Sequence, residues 1–320
     1  MKSQDFTYAV SRIRMKETKL FSRKEIDRLI SQKDYTSVLR TLSELGFGSG
    51  IDSDDVLTAE QSKLWDLMKE LVDDMSIFNV FRLQNDYHNL KVSVKLVYSN
   101  ALPGDMLISG GTVDGNFIYE CVKNRNFNEL PEAMSDTAHK SLELLLKTGD
   151  GQLCDVVIDK AMLDAVSAFA TASKDKVIRD YAELFIASAN IKVAVRGAKL
   201  NKSLDFFTKS LAECDSLNVE ALARSAVKGF DEICTYLLAT KYKDAVEYIR
   251  KSMSSFEKWC DDMLIRGMRI QKSEPFTIGP LIAYIIAKQN EIKAVRLILI
   301  AKQNGLDDNK INERIREMYV

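Results

Sequence analysis

An all-α fold follows from three observations on the 320 residues. Pro (4) and Gly (14) are scarce, and Leu, Ala, Lys and Glu dominate, a composition that favours helix over loop-rich β structure. Apolar residues recur at helical spacing, most clearly at Leu281, Ile285, Ile292, Val295 and Leu299. The third observation is a repeated helical phrase. Asn89-Leu-Lys91-Val-Ser-Val-Lys95 returns as Asn190-Ile-Lys192-Val-Ala-Val-Arg196, and a third window opens Glu291-Ile-Lys293-Ala-Val; the starts are 101 apart in both steps (190 − 89 and 291 − 190). A second mark, an aromatic in a polar turn before a new apolar stretch, occurs at Tyr35, Phe127 and Tyr242. Three copies of about 100 residues fit ordinary domain size, so three similar helical domains are expected at 1–104, 105–205 and 206–320.

Taken in order, residues 5–20 read as a first helix. Ser22 and Glu25 form a capping box, with Phe21 and Ile26 as its hydrophobic staple. Asp34 caps a helix carrying Val38, Leu42 and Leu45, which Gly46 stops. Thr58-Ala-Glu-Gln61 reads as a second capping box, starting a helical region that runs to about Tyr98 with a break near Asp73-Asp74 and a seam of Leu83, Tyr87, Leu90, Val94 and Val97. The turn-rich stretch from Asn100 to Gly115 marks a domain boundary, whereas the boundary near 205 has no Gly/Pro linker. Leu130-Pro131 starts a helix, and Thr148-Gly-Asp-Gly151 is an internal turn. Pro280 suits the first turn of a long helix and Gly305 the left-handed residue past its end. A short capped helix with Ile311, Ile315 and Met318 on one face closes the chain.

The charge balance, Lys+Arg 45 against Asp+Glu 46, offers no global positive field for a nucleic-acid backbone. Five cysteines without a Cys-x-x-Cys pair suit a reduced compartment, and the polar N-terminus lacks the apolar core of a signal peptide, so a cytoplasmic protein is expected. No run approaches the roughly 20 apolar residues needed to span a bilayer. His88 and His139 are the only histidines, and neither suggests a catalytic pair or a metal ligand. The Asp-Asp pairs at 54/55, 73/74, 261/262 and 307/308 read as caps and solvated faces. Gly46-Phe-Gly48-Ser-Gly50 lacks the Lys-Ser/Thr of a phosphate loop and reads as a turn. Cys154 and Cys260 stand beside Asp155 and Asp261, which raise rather than lower a thiol pKa. Neither a catalytic set, a cofactor site nor a metal site is expected.

In the third helix, Tyr284 and Glu291 share a face two turns apart, whereas Arg296 points about 140° from Glu291. Arg296 either packs its stem with its head paired to a neighbouring domain or contacts a partner directly.

These residues resemble a known family: the C subunit of archaeal and bacterial V-type (A/V-type) ATPases, called the d subunit in eukaryotes. The resemblance rests on Tyr8-Ala-Val-Ser-Arg-Ile-Arg, Leu20-Phe-Ser-Arg-Lys-Glu25, Leu130-Pro131 and, most specifically, Gly279-Pro280-Leu-Ile-Ala-Tyr284 through Glu291-Ile-Lys-Ala-Val-Arg296 to Tyr319-Val320. It covers essentially the whole chain. It implies an all-helical, three-domain, funnel-like protein with pseudo-threefold symmetry, and Pro280, Tyr284, Glu291 and Arg296 as family-motif residues with structural or partner-contact roles. It further implies a non-catalytic central-stalk component, peripheral to the cytoplasmic face of the membrane. Its partners would be the central shaft (the D and F subunits) and the membrane proteolipid ring. Loops 46–57 and 103–116 are the expected contact segments. A free-standing helical-repeat adaptor is the alternative, but it would show many repeats near 34 or 40 residues; a helical enzyme would need acid, base or metal sets that the sequence lacks.

Overall fold

The computed structural model describes residues 6–48 and 50–320, so part of the expected first helix and Ser49 of the glycine-rich turn lie outside the described residues. The helices, in chain order, are α1 (Thr7–Glu17), α2 (Arg23–Ile30), α3 (Tyr35–Glu44), α4 (Ser53–Leu71), α5 (Asn79–Ser99), α6 (Gly115–Asn124), α7 (Glu132–Thr148) and α8 (Gly151–Ala172). They continue with α9 (Lys176–Lys199), α10 (Leu204–Ser210), α11 (Val219–Lys228), α12 (Phe230–Leu238), α13 (Ala245–Lys251), α14 (Met253–Met268), α15 (Gly279–Gln303) and α16 (Asp308–Arg314). The fold is all-α, and among the described residues the only β pairing is an isolated bridge between Cys214 and Leu217. The chain falls into two compact units, one built from residues up to Met75 together with those from Glu247 onward, the other spanning Ser76–Val246.

In the first unit, local chemistry sets the helix starts. Ser22 and Glu25 form the capping box in full, and Phe21 and Ile26 are both buried. Asp34 accepts the Ser37 amide at the start of α3. The expected second box is not used. Asp52 accepts the amides of Asp54 and Asp55 and starts α4 well before Thr58 would, leaving Thr58 inside the helix. A cap acts only where the chain enters from extended geometry, and that entry is at Asp52 (φ −131°). The break expected near Asp73-Asp74 is present, since α4 ends at Leu71.

The spine of this unit is α15, which has Pro280 in its first turn and Gly305 beyond its end at φ +63°. Every residue from Gly279 to Ala287 is buried, so this half is enclosed on all sides rather than along one stripe. Its second half packs Ile292, Val295, Ile298 and Leu299 against Ile26, Leu29, Val38, Leu42, Ile311 and Met318. The closing helix α16 stops at Arg314, and Ile315 and Met318 beyond it complete the same core.

The second unit has its own core, in which Leu90 and Val94 of α5 meet Ile118 and Val122 of α6, Leu142 of α7 and Ile158 of α8. Its turns follow the sequence closely. Pro131 precedes α7, Gly149 adopts φ +66°, and Asp150 caps α8. The turn-rich loop 100–114 is fastened to α5: Asn89 exchanges two hydrogen bonds with Ile108 (2.9 Å each), and buried Asp86 accepts the Thr112 and Val113 amides. Further along, Asn190 of α9 exchanges two hydrogen bonds with Ala212, at 2.7 and 3.0 Å.

Candidate functional site

The site in the first unit grows from α15. In the sequence Lys288 only interrupts an apolar run, yet its side chain is just 12% exposed. Its Nζ lies 2.5 Å from Glu60 Oε2 of α4 and 2.5 Å from Glu291 Oε1, one helical turn further along α15. The two carboxylates have further partners. Glu60 Oε1 accepts from the Gly48 amide and from Lys63, each at 2.7 Å, and Glu291 Oε2 accepts the Phe21 amide at 2.5 Å. The ammonium also sits 4.7 Å above the Phe47 ring, which packs 5.3 Å from Phe21. One buried cation thereby gathers α4, α15, the strap from Leu20 to Ser22, and the turn at Gly46–Gly48. Gly48 holds φ +65°, and a Cβ there would fall 2.5 Å from Val56 Cγ1.

Electrostatics separates the two acids. Burial pushes the Glu60 carboxyl up, but Lys288, Lys63 and the Gly48 amide more than reverse that and hold it below its usual range. Glu291 is more deeply buried, shares its one cation, and faces the charge of Glu60, so its carboxyl is pushed up. Burial lowers the Lys288 value, and the two carboxylates outweigh it, keeping the ammonium charged. The cluster borders a cavity of about 280 Å³ that Tyr284, Lys16, Lys19 and Lys63 also line.

Of the four family-motif residues, Tyr284 and Glu291 meet at this cavity, as their shared helix face predicts. Pro280 is buried in the first turn of α15, away from the cavity lining. Arg296 is exposed and makes no ion pair among the described residues, so its head is not held by a neighbouring carboxylate. Glu60 and Lys288 are absent from the sequence-derived candidates. Lys288 lies three residues before Glu291, one turn away on the same face, and that spacing was the available signal. The partner on α4 had no local signal.

The Asp261-Asp262 pair corrects the expectation of caps and solvated faces. Asp262 is buried and accepts the Glu317 amide (2.6 Å) and Lys258 (2.5 Å). Asp261 pairs with Arg316 (2.5 Å) and Lys293 (3.1 Å). Together with Asn290, which donates to the Glu317 carbonyl, these acids seat the C-terminal tail on α14 and α15. Among the described residues the five cysteines form no disulfide; burial, then Asp155, pushes the Cys154 thiol up to about 11. Among the described residues, no group of three or more His, Cys, Asp or Glu is placed to hold a metal ion, and no helix is long and apolar enough to cross a membrane.

Comparison with known proteins supplies a frame for this geometry. The model of the ATP synthase (C/AC39) subunit family matches residues 9–314. The C subunit of the V-type sodium ATPase of Enterococcus hirae is 24% identical over 96% of this chain and 97% of its own length. The C subunit of the A-type ATP synthase of Methanocaldococcus jannaschii is 21% identical, covering 96% of this chain and 85% of its own. The C subunit of the V-type ATP synthase of Thermus thermophilus is 22% identical, covering 98% and 99%. With the family model spanning α1 to α16, the chain belongs to the ATP synthase (C/AC39) subunit family.

Proposed function

We propose that this chain is the non-catalytic central-stalk component of a V/A-type rotary ATPase. It rests on the cytoplasmic face of the membrane proteolipid ring, receives the foot of the shaft formed by the D and F subunits, and carries torque between ATP turnover and H⁺ or Na⁺ movement. The observation that carries the reading is the end-to-end family match over residues 9–314. A torque coupling must resist twist. Close-packed helices and buried polar clips that fasten loops to long helices provide that stiffness.

The three-domain, pseudo-threefold, funnel-like arrangement over 1–104, 105–205 and 206–320 belongs to the same reading. It is supported by the recurrence of one device at 101-residue spacing: Asn89, Asn190 and Glu291 are all buried on long helices, and each holds backbone of another segment. Contact with ring or shaft is assigned to loops 46–57 and 103–116. Ile51 is 94% exposed in the first, and Met106 and Ile108 are exposed in the second. Apolar anchors in a polar rim suit such an interface.

The test is affinity capture of the tagged chain from detergent-solubilised membranes of its native host, followed by mass spectrometry. Co-recovery of proteolipid, shaft and nucleotide-binding head subunits is expected. Recovery of soluble proteins alone, with the chain absent from membranes, replaces the reading with a free-standing adaptor. Charge reversal or deletion in the two loops that left shaft and ring binding unchanged would sink their assignment.

A further inference from the structure

The cavity beside Lys288 holds a charge pattern that the ionic cluster does not use up. Four lysines, Lys16, Lys19, Lys63 and Lys288, face it against two carboxylates, Glu60 and Glu291. Lys288 and Lys63 are committed to those carboxylates. Lys16 and Lys19 make no ion pair among the described residues, so two positive charges stand uncompensated at the cavity. Tyr284 adds an independent mark. It is only 7% exposed, yet its hydroxyl makes no hydrogen bond among the described residues. Tyr284 lines the cavity, so that hydroxyl is available to donate to an acceptor held there.

We infer that this cavity binds a phosphate-class anion, either free inorganic phosphate or the phosphate of an anionic lipid headgroup. Lys16 and Lys19 supply its charge balance, and the Tyr284 hydroxyl donates to one of its oxygens. The excess of two positive charges matches a phosphate dianion. A volume near 280 Å³ admits one phosphate with its remaining water. Glu60 and Glu291 do not repel it outright, because each is already bonded to Lys288 and to a backbone amide. The site is independent of the stalk assignment, since it stands on this cavity alone.

The test is isothermal titration of the full chain with sodium phosphate in chloride buffer of matched ionic strength, repeated on Lys16→Gln/Lys19→Gln, on Tyr284→Phe, and on the control Lys140→Gln/Lys147→Gln, whose lysines lie exposed on α7. Saturable one-to-one binding is expected, weakened at least tenfold in the Lys16/Lys19 variant and severalfold in Tyr284→Phe, with the control unchanged. Sedimentation with phosphatidylglycerol vesicles, against phosphatidylcholine, identifies the source. Vesicle binding that requires Lys16 and Lys19 and is competed by inorganic phosphate assigns a headgroup; titration without vesicle binding assigns the free ion. No saturable heat in the wild type together with no vesicle binding, or equal loss in both lysine variants, overturns the proposal.

Discussion

Replacing Lys288 by Met removes a cation whose nitrogen lies 2.5 Å from each of two carboxylates, on a side chain 12% exposed, between acids exposed 5% and 1%. Breaking a buried pair by removing one partner costs about 3–5 kcal/mol, because the remaining charge stays buried. Glu60 is cushioned by Lys63 and the Gly48 amide, whereas Glu291 retains only the Phe21 amide, so most of the loss falls on Glu291. That carboxyl can escape by taking a proton. Its folded value, already raised, rises further without Lys288, above an unfolded value of about 4.3. A group raised in this way contributes its stability fully below the unfolded value and loses it as pH climbs through the folded one. The deficit of Lys288→Met is therefore expected to reach about 4 kcal/mol at pH 7.5 and to shrink toward pH 5. Urea unfolding followed by tryptophan fluorescence reads it selectively, because Trp65 and Trp259 are the only tryptophans and both lie in the unit that contains the cluster. Adding Glu291→Gln should recover more than half of the loss. A deficit below about 1 kcal/mol, or one that grows toward acid pH, would refute the account of a lysine neutralising two buried acids.

Four further outcomes follow from the geometry. Asn190→Ala strips both hydrogen-bond partners from Ala212 and should cost about 1–3 kcal/mol in urea melts followed by circular dichroism. Gly48→Ala combines φ +65° with a Cβ placed 2.5 Å from Val56 Cγ1, and a thermal melt should show it destabilised by more than about 1 kcal/mol, whereas Gly267→Ala, with open space around it, should be neutral or stabilising. Burial raises the Asp261 carboxyl, but Lys293 and Arg316 outweigh it and hold it below its usual value. Its contribution is thus present above about pH 3.9 and lost as pH falls through the folded value, so Asp261→Asn should flatten the acid limb of stability measured between pH 5 and 3. Cys154, buried and pushed up to about 11, should resist iodoacetamide at pH 8 until urea unfolds the second unit, as read by mass spectrometry of the labelled peptide.

Local chemistry explains what was readable in the sequence. The capping box at Ser22, the cap at Asp34, the turn at Gly149 and the ends of α15 depend on residues a few positions apart, and all appear where the spacing puts them. Thr58 misled because Asp52 offered an equally good cap nearer the loop, and nothing within the four-residue motif ranks the two. Asp261 and Asp262 misled for the opposite reason. Apart from Lys258, one turn before Asp262, their partners, Lys293, Arg316 and the Glu317 amide, lie 32 to 55 residues away, a distance at which only the folded path of the chain decides what meets. The pairing of Glu60 with Lys288 is more remote still, and the sequence offers each residue an ordinary solvated alternative.

The three recurring windows show how a single change of side chain reorganises a site. Asn89 and Asn190 each carry both N–H donors and a carbonyl acceptor, so each answers both the N–H and the C=O of a residue that follows 19 or 22 positions later, and the exchange is neutral. Glu291 holds the third position and can only accept. It holds the Phe21 amide, which lies 270 residues earlier, and in doing so pins the strap after α1 to the spine of its unit. The added charge must be compensated where it is buried. Lys288 supplies the cation at the position occupied by Asp86 in the first window and Ala187 in the second. One lysine so deeply placed in turn recruits Glu60, and Glu60 recruits Lys63 and the Gly48 turn. The chain of compensation explains why the ionic cluster and its cavity sit beside the third window, and why Asn89 and Asn190 need no counter-ion at theirs.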